Sequence, residues 1–368
     1  MTYTQVIVLA TPVFAALMAL EWWIGHRRGR DTYRLNDAMS SVGLGMVSQL
    51  SNFLGRAAGF GIYVWVYDRF APWWLPVESA WVWLSGLLLY DFLYYWQHRA
   101  GHRIALFWAA HAVHHQSEDY NLSTALRQTS SGWIAGWVFY LPMALAGFPP
   151  VVFGAVALAD LLYQFWVHTQ QVGRLGWFDR WFCSPSNHRV HHAVNDEYLD
   201  RNYGGILMAW DRLFGTFVEE RDDVPCVYGT RLPLRSWNPL WANLQVYAEL
   251  ARDTLHTVRW RDRLLVWLKP PGWRPVDVAA RFPRAPFELA RVERFDPQTS
   301  PRAQAGAATL FILALWGVIW LLWHAHELGI GQMGLGTILA LAVLSVTGRL
   351  GAGRAGPLQE KGTVPISG

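Results

Sequence analysis

Charge is scarce in this chain. Only 16% of its 368 residues are charged, where soluble domains carry about 25%. The net charge is a modest +4, the basic residues are scattered, and no run interleaves arginine with aromatics. A nucleic-acid surface is therefore not expected. Cysteine is nearly absent: Cys183 and Cys226 lie far apart and form no CxxC, so the expectation is two free thiols rather than a disulfide framework. No HExxH marks a zincin protease and no CxxCH marks a c-type haem. The ExxH pairs of soluble carboxylate di-iron bundles are also missing. The first residues, "MTYTQVIVLATPVFAALMALEWW", lack a basic stretch ahead of their apolar run. They read as a retained membrane anchor rather than a cleaved signal.

What is plentiful is apolar and aromatic. Hydrophobic residues make up 52% of the chain, with 23 Trp and 14 Tyr, a composition that suits an integral membrane protein with aromatic interface anchors. A span takes about 20 mostly apolar residues at about 1.5 Å each. Segments 4–24, 38–66, 76–96, 131–148, 150–168, 306–324 and 331–347 meet that need and predict seven spans. The pair 131–148 and 150–168 is split only by "GFPP" and predicts a helical hairpin, with Pro149 and Pro150 closing one helix and opening the next. Arg27, Arg28, Arg30 and Arg34 follow the first span, whereas "GFPP" and "HAHELGIGQMG" carry no Lys or Arg. Positive-inside reasoning then puts 97–130 and 169–305 on the cytoplasmic side. Within the latter, "WFDRWF" and "LWANLQVYAELARDTL" are amphipathic enough to lie on a surface.

The thirteen histidines are not spread at random. "QHRAGH" sets His98 and His102 as HxxxH. "HAVHH" sets His111, His114 and His115 as HxxHH, and "HRVHH" repeats that spacing with His188, His191 and His192. His168 stands alone in "FWVHTQ". All nine fall at or beyond the expected cytoplasmic ends of spans. Residues three and four apart share a helix face, so each box can present its imidazoles together. Neutral imidazole is the commonest protein metal ligand and suits Fe, Zn, Cu and Ni. Nine rings are too many for one ion; two ions with four or five ligands each fit the number. Membrane b-haems need only two facing histidines each. His26, His256, His324 and His326 lack such spacing and read as ordinary histidines. Asp91 and Asp160 lie inside expected spans, where a carboxylate is costly unless paired. Asp91 stands seven residues before His98, about two turns along one face, and is a candidate to orient a ligand ring.

These stretches resemble the fatty acid hydroxylase/sterol desaturase superfamily of membrane di-iron enzymes. The resemblance is carried by "YDFLYYWQHRAGH", "FWAAHAVHHQSEDYNLSTALRQ", "YQFWVHTQ" and "SPSNHRVHHAVNDEYLDRNYGGILMAWDRLFGTF", over about residues 85–217. The "SEDYNLSTALRQ" and "NYGGILMAWDRLFGTF" runs narrow it to the alkylglycerol monooxygenases. It implies two Fe ions held by His98, His102, His111, His114, His115, His168, His188, His191 and His192. It implies O2, a lipid substrate drawn from the bilayer, and tetrahydrobiopterin as reductant. It also makes Glu118 a candidate catalytic residue. Asp119 and Arg127 would complete a polar mouth with it, and Asp91 and Asn202 join Glu118 among the candidate catalytic residues. This sequence departs from the pattern at Asn187, where the animal enzymes are expected to carry His, and at Val172, where some hydroxylases carry a second His. Asn195 or Asn202 is then the candidate for a further contact through its side-chain oxygen.

The reading is an all-α, multi-span membrane protein with a cytoplasmic-side histidine-rich cap. Residues 1–75 would hold anchor spans and 76–235 the di-iron domain. Residues 236–305 would form an interfacial segment, 306–348 the last spans and 349–368 a tail. The alternative is a sterol or acyl-lipid desaturase or hydroxylase served by a separate ferredoxin or b-type cytochrome. A metal transporter would need ligands along a path through the spans, and Asp91 with Asp160 makes a poor one.

Overall fold

The computed structural model describes residues 2–353, and among them the regular structure is helical, with two isolated β-bridges and no strand. The first helix, α1 (Tyr3–Arg27), begins on a Thr2 capping box and ends with His26 and Arg27 in its last turn. α2 (Leu35–Phe70) runs back for 36 residues, and α3 (Ala80–Arg103) returns with His98 and His102 near its end. A short break at Ile104 gives α4 (Ala105–His115), which carries the first HxxHH. A single turn, α5 (Leu122–Ala125), and a coiled stretch lead to α6 (Leu141–Leu145) and α7 (Pro150–Trp166). Two short helices follow, α8 (Trp177–Trp181) and α9 (Pro185–His192); α9 carries the second HxxHH. α10 (Ala209–Leu213) packs on α3, and α11 (Pro239–His256), α12 (Trp260–Leu268) and α13 (Val276–Arg281) form a lateral lobe. The hairpin α14 (Pro301–Trp323) and α15 (Ile330–Ala352) closes the bundle.

Three helices among the described residues are long and apolar enough to cross a bilayer: Thr4–Arg27, Pro301–Trp323 and Ile330–Ala352. The expected span 131–148 is not one helix. It breaks into 3-10 turns at Gly132–Ile134 and Gly136–Tyr140 before α6. Gly132 and Gly136 weaken the helix, and Pro142 lacks the N–H that would extend α6 backwards. Of the expected hairpin only the "GFPP" turn and the second helix form: Gly147 has φ +84°, and a Cβ there would stand 2.4 Å from the Trp73 carbonyl, so only glycine fits. The expected tail 349–368 lies, from residue 354 on, outside the described residues.

Two cores hold the bundle. Tyr63 and Val66 of α2 pack with Val82, Tyr90 and Leu93 of α3 and Val152 and Val156 of α7. On the other side of α2, Met46, Val47 and Leu50 meet Val318 and Leu322 of α14 and Ala340 and Leu344 of α15. Many tryptophans are exposed: Trp65, Trp73, Trp74, Trp81, Trp320 and Trp323 lie on or beside the ends of α2, α3 and α14 remote from the histidines, Trp22, Trp23, Trp177, Trp181, Trp241 and Trp260 lie on α1, α8, α11 and α12, and Trp133 and Trp316 are exposed as well. Exposed tryptophan near helix ends suits a membrane interface.

A candidate dinuclear metal centre

All nine histidines converge at one end of the bundle. α3 delivers His98 and His102 one turn apart, α4 delivers three, and α7 ends so that His168 follows it directly. α9 is buried along its whole length; Ser184 caps it and Pro185 opens it. The rings form two groups. His98, His102, His111, His115 and His191 make one, and His114, His168, His188 and His192 make the other, with the candidate ligand atoms of each group within 4.8 Å of one another. Each HxxHH box is therefore shared rather than aimed at one ion. At about 100° per residue, position i+4 lies about 40° from i and position i+3 about 60° to its other side. His111 and His115 thus face one group while His114 faces the other, and His188 and His192 part from His191 in the same way.

The donor set fits metal ions. Nδ1 of His98, His114, His168 and His191 sits 2.7–3.0 Å from the carbonyls of Tyr203, Arg127, Gln164 and Arg201. A carbonyl only accepts, so each Nδ1 carries the proton and each Nε2 presents a lone pair. Nε2 of His168 nonetheless lies 3.2 Å from Nε2 of His114. Two lone pairs at that distance suit a metal ion shared between them. Burial, chiefly, pulls His114 down to about 4, with the carbonyl of Arg127 opposing that shift, so the ring favours its neutral, metal-binding form. Burial likewise holds His188, His191 and His192 well below the usual histidine range. Other Nε2···Nε2 distances are 3.0 Å for His98–His111, His115–His111 and His188–His168. Two nitrogens about 2.1 Å from one metal and at right angles would be about 3.0 Å apart. Nε2 of His102 and of His191 are buried without a hydrogen-bond partner.

One short loop grips three of the five-ring group. Asp200 and Asn202 adopt left-handed φ values of 58° and 55°, an uncommon state for residues other than glycine. The carbonyls of Arg201 and Tyr203 bind His191 and His98. The Asp200 carboxylate stands 3.5 Å from Nδ1 of His102 and is also held by Arg103. Burial raises the Asp200 pKa, but the contacts with His102 and Arg103 outweigh it and leave it below the ordinary value. Asp211, fully buried, fixes the loop by accepting from the N–H groups of Tyr203 (2.8 Å) and Gly204 (2.7 Å) and from the Thr216 hydroxyl (2.6 Å).

The other candidates take supporting places. Asp91 touches no ligand ring; its carboxylate accepts from the backbone of Ile206 and Leu207 and from the Trp210 indole. It anchors the turn just after the gripping loop and acts on His98 at one remove. Asn202 is spent on backbone, donating to the Asn187 and Val218 carbonyls and accepting from the Val218 N–H. Asn195 donates to the Pro225 carbonyl and accepts from the Val227 N–H, and Asn187 donates to Asp179 and Phe182. None of the three presents an oxygen to the rings. Arg127 is not at a mouth. It is 1% exposed, and its guanidinium binds the Val113 carbonyl, Ser40, Ser41 and Gln116. Glu118 does lie at the rim, accepting from the Phe295 N–H at 2.5 Å with Arg34 3.8 Å away. It lines a cavity of about 190 Å³ with Cys226, Val227, Tyr228, Val292 and Arg294. Asp119 pairs with Arg34 at 2.9 Å; burial and Asp37 push its pKa up to about 6 against that pairing. Tyr228 stacks on Tyr120, which stacks on His168, so an aromatic column joins the cavity to the four-ring group.

Asp200, Asp211 and the carbonyls of Arg201 and Tyr203 escaped sequence reasoning. "LDRNYGG" carries no spacing that points to His102, about a hundred residues earlier, and a carbonyl has no side-chain signature.

The Fatty acid hydroxylase family profile matches residues 83–216. The chain is similar to the alkylglycerol monooxygenase of Homo sapiens, 39% identical over 269 residues, covering 72% of this chain and 59% of that protein. It is 38% identical to the alkylglycerol monooxygenase of Danio rerio over 312 residues, which cover 83% of this chain and 68% of that one. The ornithine lipid hydroxylase OlsE of Rhizobium tropici is 29% identical over 140 residues, 36% of this chain and 40% of that protein. No solved structure matches the chain.

Proposed function

Given that the chain belongs to the alkylglycerol monooxygenase family, we propose that it is a membrane di-iron monooxygenase that hydroxylates an ether lipid. The observation that supports this most is the pair of imidazole groups, five and four, whose lone pairs converge at one end of a helical membrane bundle. Bound there, two iron ions would supply oxygen activation for insertion of one oxygen atom into a lipid C–H bond. Hydroxylation of the carbon beside the ether oxygen yields a hemiacetal, which collapses to an aldehyde and a glycerol derivative.

The chain's own residues supply the rest. The nine rings would hold the metals as neutral ligands because burial keeps protons off them. The carbonyls of Tyr203, Arg201, Arg127 and Gln164 fix ring orientation and tautomer. Loop 200–203 keeps the five-ring group rigid, and burial of α9 excludes water from the other side. Asp91 sets the turn that follows this loop, Asn202 ties the loop to residues 187 and 218, and Glu118 orders the rim. The lipid chain would reach the rings from the bilayer. Tetrahydrobiopterin or a separate electron donor would be met on the cavity side, and that side would face the cytoplasm, where the basic residues that follow α1 lie.

The test is turnover of an alkylglycerol by the protein in membranes, with and without tetrahydrobiopterin. Pterin-dependent release of fatty aldehyde is expected. No aldehyde in either case, with oxidation of a sterol or acyl lipid supported by a ferredoxin or cytochrome system, would replace this reading by the desaturase or hydroxylase one.

A further inference from the structure

The lateral lobe presents an apolar face that nothing among the described residues covers. Trp260, Leu264 and Leu268 lie at i, i+4 and i+8 of α12 and form one stripe. With Leu255, Val258 and Val276 around it, each of these six side chains is 59–79% exposed. Large apolar patches of this kind mark an interaction site. The same stretch is basic: residues 258–270 hold Arg259, Arg261, Arg263 and Lys269 against one acid, Asp262. Among the described residues none of these four cations forms an ion pair; the lobe's ion-paired arginines are Arg274, Arg281 and Arg284.

Two occupants are conceivable for such a face, a second copy of the chain or lipid, and the surroundings favour lipid. Trp260 is 74% exposed, and tryptophan favours the membrane interface. The lobe is also continuous with the spans: α11 packs on α2 and α15, and the carbonyl of Trp237, just before α11, lies 2.4 Å from where a Cβ on Gly348 of α15 would stand. An apolar stripe edged with unpaired arginines matches the acyl boundary and the anionic headgroups above it.

We propose that α12 and its flanks dock on the surface of the bilayer that the bundle spans, and that anionic headgroups hold it there. This does not depend on the monooxygenase reading; it needs only that the chain is embedded. The contact reaches the metal centre by a short path. The Lys269 carbonyl accepts from the Ala105 N–H at 3.0 Å, at the start of the helix that carries His111, His114 and His115. Gln116, just after those rings, donates to the Ala242 carbonyl of α11 at 3.1 Å. Anionic lipid thereby braces α4.

The test uses the full chain in nanodiscs of phosphatidylcholine, with or without phosphatidylserine. A spin label is placed at Leu264→Cys in a Cys226→Ser background; Cys183 is buried and stays unlabelled. Power saturation compares collisions with oxygen, which favours lipid, and with a water-soluble nickel chelate. With phosphatidylserine the label should favour oxygen and be shielded from nickel, whereas a label at the exposed Glu219→Cys stays open to nickel. Arg259→Gln, Arg261→Gln and Arg263→Gln together should remove most of that shielding. Nickel access in both lipids overturns the docking, and equal shielding without phosphatidylserine overturns the role of the anionic headgroup. Dipolar broadening between labels would assign the face to a second copy and overturn the proposal as well.

Discussion

Replacing Asp211 by Asn should empty one metal position and spare the other. Asp211 is fully buried, and its two oxygens accept from Tyr203 N–H, Gly204 N–H and the Thr216 hydroxyl. An amide of the same shape keeps an oxygen toward Tyr203 and Thr216 but turns an NH2 group on Gly204. One hydrogen bond to a charged acceptor is lost, worth about 1.5–3 kcal/mol, and a buried N–H is left unpaired at about 1–3 kcal/mol. The local cost is therefore about 3–5 kcal/mol, enough to free loop 200–203. His98, His102 and His191 then lose their outer partners, each a loss of about 10–100-fold in metal affinity. The four-ring group keeps the carbonyls of Gln164 and Arg127, which lie on other elements. Detergent-purified protein dialysed against a mild chelator and assayed by metal mass spectrometry should retain two ions per chain as wild type and one as Asp211→Asn. Retention of both at wild-type affinity would refute the grip assigned to this loop. Loss of both together would refute the independence of the two groups.

His114→Ala should abolish metal in the four-ring group and, with it, lipid oxidation; metal analysis and product release on one preparation check both. Arg127→Met should destabilise the fold by about 3–5 kcal/mol, because it leaves the Val113 carbonyl and Gln116 unpaired in the interior; thermal unfolding in detergent measures it. Acid should open the metal-free site with a defined sign. His114 titrates near 4 when folded and near 6.5 when unfolded, so the unfolded chain binds the extra proton. Stability then falls as pH drops from about 6.5 to about 4, by about 3 kcal/mol for this ring alone, and levels off below. Unfolding midpoints of chelated protein across that range test it, and a flat profile contradicts the burial argument. Gly45→Ala should cost 2 kcal/mol or more, on the order of a tight core clash, since its Cβ would lie 2.4 Å from the Leu126 carbonyl; a neutral result would mean that α2 can shift away there.

Much of this was legible because imidazole at helical spacing is a loud signal. The convergence of the nine histidines and the helical class follow from histidine spacing and apolar runs. The division of the rings did not, because one box at i, i+3 and i+4 reads as a single face until the partner helices are seen on both sides. The span expected at 131–148 failed for a local reason: its apolar composition is right, but Gly132, Gly136 and Pro142 deny it a continuous hydrogen-bond ladder. Arg127 looked like a surface cation because charge normally seeks water. Four neighbouring acceptors let it sit in the interior instead, where its own carbonyl orients His114. Glu118 was singled out by resemblance and does stand at the rim, but its contact with Phe295 joins residues 177 positions apart, which no local pattern encodes.

The facing lone pairs of His114 and His168 bear on how the protein is made. A cage whose inner atoms repel one another closes poorly around nothing, so the energetically easy order is capture first and closure second. In the nascent chain His98 to His115 come first, His168 follows α7, and α9 and the gripping loop come later still. An ion met by the early rings would template the arrival of the late ones, and the finished cage would exchange its metal slowly, because release requires the same segment to lift again. Cellular metal supply during synthesis, rather than the pool available afterwards, would then decide which ion the mature protein carries.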